Sequence, residues 1–519
     1  MDLRGAALSV LAGLSLMGAS AGAQEQKHFD IEEFRVEGNT LLPAAMIETA
    51  VTPFLGPDRT ADDVDKARAA LDGLYAQQGY PTVAAEIPQQ DPSDGVVILH
   101  VTERRVGRLR VHGSRYFSLQ EIRDSVPSLA EGVVPNFNKV QHEIVALNQW
   151  PDRRVTPTLK PGVVPGTVDV DLDVKDTLPL HGSVELNNQQ SADTTPLRTV
   201  TSLSYGNLWQ RGDSVSVSYQ VAPEDPSNTE VFTSSYLFRI PHSNLSILAS
   251  YLYSNSNVAT VGSTNVLGKG SIYGLRLQIP LGTEGPFSHS LSVGVDYKDF
   301  LDTVLLAGQQ TATPVTYAPL VAQYQASWTG ETSETLLSSE VVLGTRGIGS
   351  DAQQFDQKRY SATPGFSYIR GDFSRRDDLP LGWQTSVHLS GQVSADALIS
   401  NEQYSIGGVS TVRGYLESEA LGDTGGSIQA ELRGPAAVNL LASNNETRGF
   451  VFADAGGVTI HMPLPQQRRS TGLASIGVGL RMHLVDNFDV DLIGAHVVEP
   501  GPITPDGTTR FLFRVNGAF

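Results

Sequence analysis

The sequence predicts a mainly β protein: a sixteen-stranded antiparallel transmembrane β-barrel preceded by two small α+β units, each ordered β-α-α-β-β. Three observations predict it. A short motif at residues 34–39 recurs at residues 109–114, and each copy opens a segment with two helical stretches. From about residue 180 the pattern changes to period two and keeps it to the C-terminus. Along those later strands charge falls opposite the apolar face, the arrangement of a polar lumen inside a lipid-facing wall. At 519 residues with 50 glycines and a formal charge of −19, the chain is long enough for three or four domains of about 150 residues each.

Taken in order, residues 1–23 carry Arg4, an apolar stretch from Ala6 to Met17, and Ala21-Gly22-Ala23. This is the pattern of a secretory signal, with Gln24 as the first mature residue. The apolar run is shorter than the roughly 20 residues a spanning helix needs. The mature chain is therefore expected outside the cytoplasm.

The first unit is placed at 29–104 and the second at 105–178. Phe34-Arg35-Val36-Glu37-Gly38-Asn39 and Leu109-Arg110-Val111-His112-Gly113-Ser114 each read as a strand ended by a glycine turn. In the first unit Val64, Ala67, Leu71 and Leu74 recur at helical spacing behind Thr60, a candidate N-cap. Val140, Ile144 and Leu147 do the same in the second. Both units close on alternating strands, Val97–Val101 and Val168–Val174, and Asp94-Gly95 predicts a hairpin turn between the last two strands of the first.

The barrel is placed at 179–519. Val215, Val217, Tyr219 and Val221 alternate with Ser214, Ser216, Ser218 and Gln220. Ala474, Ile476, Val478 and Leu480 face away from Ser475, Gly477, Gly479 and Arg481. Sixteen such segments begin near residues 180, 197, 213, 230, 245, 271, 288, 317, 334, 358, 381, 426, 447, 473, 487 and 509. An even number suits closure, which leaves no unpaired backbone in lipid. A long loop, 396–424, follows the eleventh.

Several functions are excluded by composition. No cysteine is present, so thiolate metal sites and cysteine nucleophiles are ruled out. The acidic balance argues against a nucleic-acid surface, which needs a clustered basic footprint. The histidines have no metal-ligand spacing. No serine sits in a nucleophile elbow and no glycine loop resembles a phosphate cradle. Neither a catalytic residue, a metal site nor a cofactor is expected. Arg211-Gly212-Asp213 reads as a tight turn between strands.

The two β-α-α-β-β units with their Val-x-Gly-Asn/Ser turn resemble POTRA domains. In the long loop, Val412-Arg413-Gly414-Tyr415 resembles the hallmark of the sixth extracellular loop of POTRA-barrel translocases and insertases, where that loop folds back into the lumen. Phe452-Ala453-Asp454-Ala455-Gly456 resembles the strand motif of the same superfamily. Alternation places Phe452, Asp454 and Gly456 on the inward face. An arginine drawn into a lumen needs a partner, and its planar fork suits a carboxylate, so Arg413 is expected to meet Asp454. Leu147–Arg153, Pro161–Val170, Tyr205–Trp209 and Leu416–Asp423 are similar to the two-partner-secretion branch, the TpsB or haemolysin/haemagglutinin secretion-activation family.

The resemblance implies an outer-membrane translocase. Its POTRA domains would catch an unfolded, haemolysin- or adhesin-like exoprotein in the periplasm and pass it to the barrel. It also implies that the terminal Phe519 is read by the barrel assembly machinery. A second reading is a factor that inserts other barrels, though such factors usually carry more POTRA units. A third is a passive solute porin, in which the Arg413 loop has no use. One departure from the family pattern is expected: the first strand begins by Ile31, so an N-terminal plug helix does not fit between signal and first POTRA, and gating falls to the Arg413 loop or to something else.

Overall fold

The computed structural model describes residues 27–519 except 242, 257, 262–263, 307–308, 439–444 and 485–486. The signal-like stretch 1–23 lies outside the described residues. The chain divides into two compact units, with the break at Thr177/Leu178.

The N-terminal unit holds two copies of one topology. In the first, β2 (Glu33–Glu37) is followed by α1 (Ala44–Val51), α2 (Ala61–Gln77), β4 (Ala84–Glu86) and β5 (Val96–Thr102). β1 (Phe29–Ile31) and β3 (Gly56–Arg59) form a separate two-stranded sheet. β2 runs parallel to β5, and β4 runs antiparallel on its other side. The second copy repeats this with β6 (Arg105–His112), α3 (Leu119–Asp124), α4 (Phe137–Leu147), β7 (Arg153–Pro161) and β8 (Thr167–Asp176), where β8 is central. Each copy has its own apolar core.

The periodic residues largely supply those cores. Val64, Ala67 and Leu71 of α2 are buried, but Leu74 is only partly covered. Tyr75 takes the buried place, and its hydroxyl donates to Asn39 Oδ1 at 2.7 Å. Thr60 and Asp63 form a capping box at the start of α2, in which the Asp63 carboxylate accepts from the Thr60 N–H at 3.0 Å. Asp94-Gly95 does not make a two-residue hairpin. Residues 87–95 connect β4 to β5, and the Gln90 side chain fills the ladder position beside Ile98.

The repeated glycine turn has a steric origin. Gly38 and Gly113 have φ of +86° and +85°, and a Cβ on either would lie 2.3 Å from a carbonyl oxygen of the central strand, Val101 or Val174. Gly113→Ala therefore faces both a left-handed backbone, about 1–3 kcal/mol, and a backbone collision. Gly132 has the same φ, +86°, with open space around it. Urea unfolding should show Gly113→Ala clearly more destabilised than Gly132→Ala.

An acid closes each turn. Glu103 accepts from the Thr40 N–H at 2.6 Å. Asp176 accepts from the Arg115 and Tyr116 N–H groups, both at 2.8 Å, and from Ser114 Oγ at 3.1 Å. Partial burial alone would raise the Asp176 pKa, but these hydrogen bonds outweigh it and hold the carboxyl below its usual value. A carboxyl with a depressed folded pKa contributes stability above its unfolded pKa, near 3.9, and that stability disappears as pH falls through the folded one. Asp176→Asn should weaken the unit at neutral pH and flatten its loss of stability below about pH 4. Acid titration of urea unfolding, followed by Trp150 fluorescence in a chain with its other tryptophans replaced by Phe, measures both.

The C-terminal unit is a closed barrel. Among the described residues sixteen antiparallel strands pair in sequence, from Leu180–Asn187 to Thr509–Ala518, and the sixteenth pairs with the first. The segment expected near 358 is a helix instead, α5 (Ala352–Lys358), and the tenth strand begins at Ser367. Asp351 and Gln354 form a capping box there, a local preference that a period-two reading overlooks.

Alternation divides outside from inside. On the thirteenth strand (Glu446–Thr459) Val451 is 52% exposed while Phe450, Phe452 and Asp454 are buried. Gly477 and Gly479 of the fourteenth strand (Ser470–Leu484) lie opposite those rings, and a Cβ there would meet Phe452 and Phe450 at 2.4 and 2.3 Å. Small residues inside thus leave room for large neighbours. Trp209, Trp328 and Trp383 are exposed at or beside turns at the end from which the first strand starts, as in an aromatic membrane girdle.

Candidate functional site

Residues 395–423 leave the eleventh strand (Gln384–Ser394) and return to the twelfth (Thr424–Arg433). They turn inward, because nearly every side chain between Tyr404 and Asp423 is buried and its partners lie on inward faces of the barrel. A short pairing, Tyr404–Ile406 with Ala420–Gly422, ties the two limbs together.

Arg413 sits at the tip, 3% exposed. Its Nε and Nη2 donate to the two oxygens of Asp454, each at 2.7 Å, and its backbone N–H donates to Asp454 Oδ2 at 3.1 Å. Nη1 donates to Glu431 Oε1 at 2.5 Å. The guanidinium carbon lies 3.7 Å from the centre of the Phe452 ring, close enough for a cation–π contact. Glu431 in turn takes Arg433 at 2.7 Å. Each nitrogen of the fork is bonded, so the desolvation cost is offset by two guanidinium hydrogen bonds to Asp454 and one to Glu431. Breaking such a buried pair on one side costs about 3–5 kcal/mol.

The neighbours of Arg413 supply shape. Val412 is buried beside Gly456, where a Cβ would come within 3.1 Å of Val412 Cγ2. Gly414 has φ +95°, and its missing Cβ faces Ala495 and Val497 at 3.3 Å. The Tyr415 hydroxyl donates to the Ala474 carbonyl at 2.9 Å and accepts from the Ala474 N–H at 3.0 Å. The tip is therefore seated against strands twelve to fifteen. The structure brings Val412, Arg413, Gly414, Tyr415, Phe452, Asp454 and Gly456 into one contact region.

Three further acids anchor the loop. Glu419 Oε1 accepts from the Thr504 N–H at 2.6 Å, and Glu419 Oε2 from Thr504 Oγ1 at 2.6 Å. Glu402 takes Lys298 Nζ at 2.6 Å and the hydroxyls of Tyr368, at 2.7 Å, and Tyr317. Asp423 accepts from Arg359 Nη2 at 2.8 Å, from Arg359 Nη1, and from the N–H groups of His461 (2.6 Å) and Leu398 (3.0 Å).

Arg359 lies one residue after α5. Phe355 of α5 is fully buried among Tyr317, Phe366, Leu398 and Ile399. The Arg359–Asp423 pair therefore joins a second inward-folded segment to the lumen loop.

Alternation could have marked Glu431 as inward. No local pattern marks Glu402, Arg359 or Glu419, since none stands on a barrel strand. The described residues hold no group of acids and histidines arranged to bind a metal.

Residues 166–482 match the family model of haemolysin secretion/activation protein ShlB/FhaC/HecB, and residues 29–103 match the POTRA domain, ShlB-type. The chain belongs to the ShlB/FhaC/HecB family. It is an outer-membrane translocase that exports a partner exoprotein through a POTRA-barrel architecture, and it is not an enzyme. The outer membrane transporter CdiB of Dickeya dadantii is 24% identical over 416 residues, 78% of this chain and 72% of that protein. CdiB of Escherichia coli O6:K15:H31 is 26% identical over 431 residues, 80% and 70% of the two chains. The solved structure of Escherichia coli CdiB shares the fold with a TM-score of 0.65 at 20% identity, covering 98% of this chain and 94% of that one. BamA of Haemophilus ducreyi lacking POTRA domains 1–3 gives 0.56 at 14% identity, covering 95% and 100%.

Proposed function

We propose that residues 1–23 are the export signal, that 29–104 and 105–178 are two POTRA domains that capture the exoprotein, and that 396–424 is the gate of the 179–519 barrel. The Arg413–Asp454 pair is the gate's anchor. Its bidentate geometry inside the lumen, between residues 41 positions apart, carries this reading, because a loop held only for shape would not need a buried cation bonded to two carboxylates. The relatives called CdiB are outer membrane transporters, and the cargo here is taken to be an unfolded exoprotein of the haemolysin or adhesin kind.

Capture is assigned to β2. Three of the four edges of the two three-stranded sheets in the N-terminal unit are obstructed. On β6, Val106 is bonded to the 132–133 turn, and Leu109 gives its N–H to Glu131 and its carbonyl to Arg123. On β7, Val155 is bonded by the Asn148 side chain, and Pro157 and Pro161 follow at the same outward parity, with no N–H to offer. On β4, Asp72 takes the Ala85 N–H. Glu33 bonds toward the central strand through the Gly95 carbonyl, so Phe34 and Val36 point their backbone groups outward. Among the described residues nothing else bonds them. An extended peptide adds to such an edge by main-chain hydrogen bonds.

Val36→Pro removes one outward donor while sparing the ladder to β5. It should depress export with the barrel assembled normally. Leu159→Pro, on an edge already lined by proline, should leave export unchanged. Equal export from both variants would remove β2 from the capture step.

Phe519 is assigned to recognition by the barrel assembly machinery. Its backbone pairs with Gly182 at 2.9 and 3.1 Å, and its ring lies where a Gly182 Cβ would be. It is 69% exposed on the closing strand, open to a partner before closure.

A further inference from the structure

The tip of the lumen loop is seated on strands twelve to fifteen and the loop before the sixteenth, Glu417 reaches the loop after the first strand, and Glu402 reaches strands seven and ten. A cavity of about 450 Å3 lies between strands three to ten and residues 401–403 of the loop. Its two walls differ in chemistry.

One wall is rich in hydroxyls, with Ser216, Thr233, Ser235 and Ser250 lining the cavity beside Leu252. The registers align Ser183, Ser202, Ser218 and Thr233 as one inward row across strands one to four. Ser204, Ser216, Ser235 and Ser250 form a second row across strands two to five. The alternate residues Leu203, Val217, Tyr219 and Phe232 are exposed on the outside, which fixes the serines inside. Neighbouring hydroxyls bond one another, Ser183 with Ser202 at 2.6 Å and Ser216 with Ser235 at 2.9 Å.

The facing wall carries charges that are already paired. Arg276 meets Asp296 at 2.7 Å and Glu340 at 3.8 Å, Lys298 meets Glu402 at 2.6 Å, and Arg370 holds Gln392.

We infer that the exported polypeptide travels in extended form along the hydroxyl wall of strands two to five. This rests on the export reading above and adds the route. An unfolded chain presents N–H and C=O groups in alternation, and each needs a partner on leaving water. A hydroxyl both donates and accepts, and rotates to suit. Every backbone group can therefore find a bond there and exchange it for the next with little net change. The two hydroxyl rows themselves carry no charge to stall an acidic or basic segment.

The test stalls a cargo fused to a tightly folded domain and places a photo-crosslinking residue singly in the full-length transporter. Ser216 and Ser235 should cross-link to the stalled chain. Val217, facing lipid, and Gln429, under the lumen loop, should not. Ser235→Trp should lose export while the protein keeps its heat-modifiable mobility on gels. A probe at Val36 reports capture separately. Cross-links at Val36 and Gln429 with none at Ser216 or Ser235 overturn the route and leave export intact. Absence of any cargo from the medium with the unmodified transporter overturns the export reading itself.

Discussion

Arg413→Ala and Asp454→Ala are each expected to reach the outer membrane as heat-modifiable barrels and each to lose export of the partner exoprotein. The wall strands keep their ladders without this pair, so assembly survives. The loop tip loses its charged anchor, because Arg413→Ala removes the two guanidinium hydrogen bonds to Asp454 and Asp454→Ala removes those and the backbone one.

The two variants should differ in stability. Asp454→Ala leaves Arg413 with Glu431 at 2.5 Å, so the cation is still compensated. Arg413→Ala strands Asp454 without its cation and removes one of the cations at Glu431, the costlier change. The double variant removes the stranded carboxylate too, and its export should be no worse than that of Arg413→Ala alone, the mark of two residues acting as one. Lysine at 413 should rescue poorly, since a single ammonium cannot serve Asp454 and Glu431 and also stack on Phe452. Immunoblots of medium and membrane fractions measure both quantities. Normal secretion by Asp454→Ala would show that the pair does not hold the export-competent loop.

The second large effect is expected in planar bilayers. Removing residues 408–424 takes away the Arg413 tip together with Glu419 and Asp423, so Arg359 also loses its carboxylate and α5 is released from the loop. Conductance should rise and become steadier. Asp423→Ala alone should give a smaller rise with frequent transitions, because Arg413 and Glu419 still hold the tip while residues 398–403 are loosened. Arg413→Ala should change conductance less than the deletion, since Glu402, Glu419 and Asp423 remain in place. Unchanged conductance after the deletion would mean that another part of the chain occludes the lumen.

Much of this molecule was legible before its structure. The turn motif at Gly38 and Gly113 marked two repeats, because only glycine fits a left-handed residue pressed against a carbonyl. Period-two alternation marked the barrel strands and the inward face carrying Asp454. Two segments depart from the alternation: near 358 a capping box and the burial of Phe355 in an aromatic cluster favour α5 over a strand, and β4 ends at Glu86, well before Gly95.

The sequence by itself determined which residues alternate, where the glycine turns fall, and which motif bears an arginine and which an aspartate, since all of these follow from local sterics and side-chain period. The tertiary structure decided who meets whom. Lys298 and Glu402 are 104 residues apart, and Arg359 and Asp423 are 64 apart. Barrel closure and strand register bring them together, and no local pattern encodes a distance that exists only after sixteen strands have paired. The same holds for the serine wall. Each serine is an ordinary polar position on its own strand, and only the register of neighbouring strands aligns them into rows.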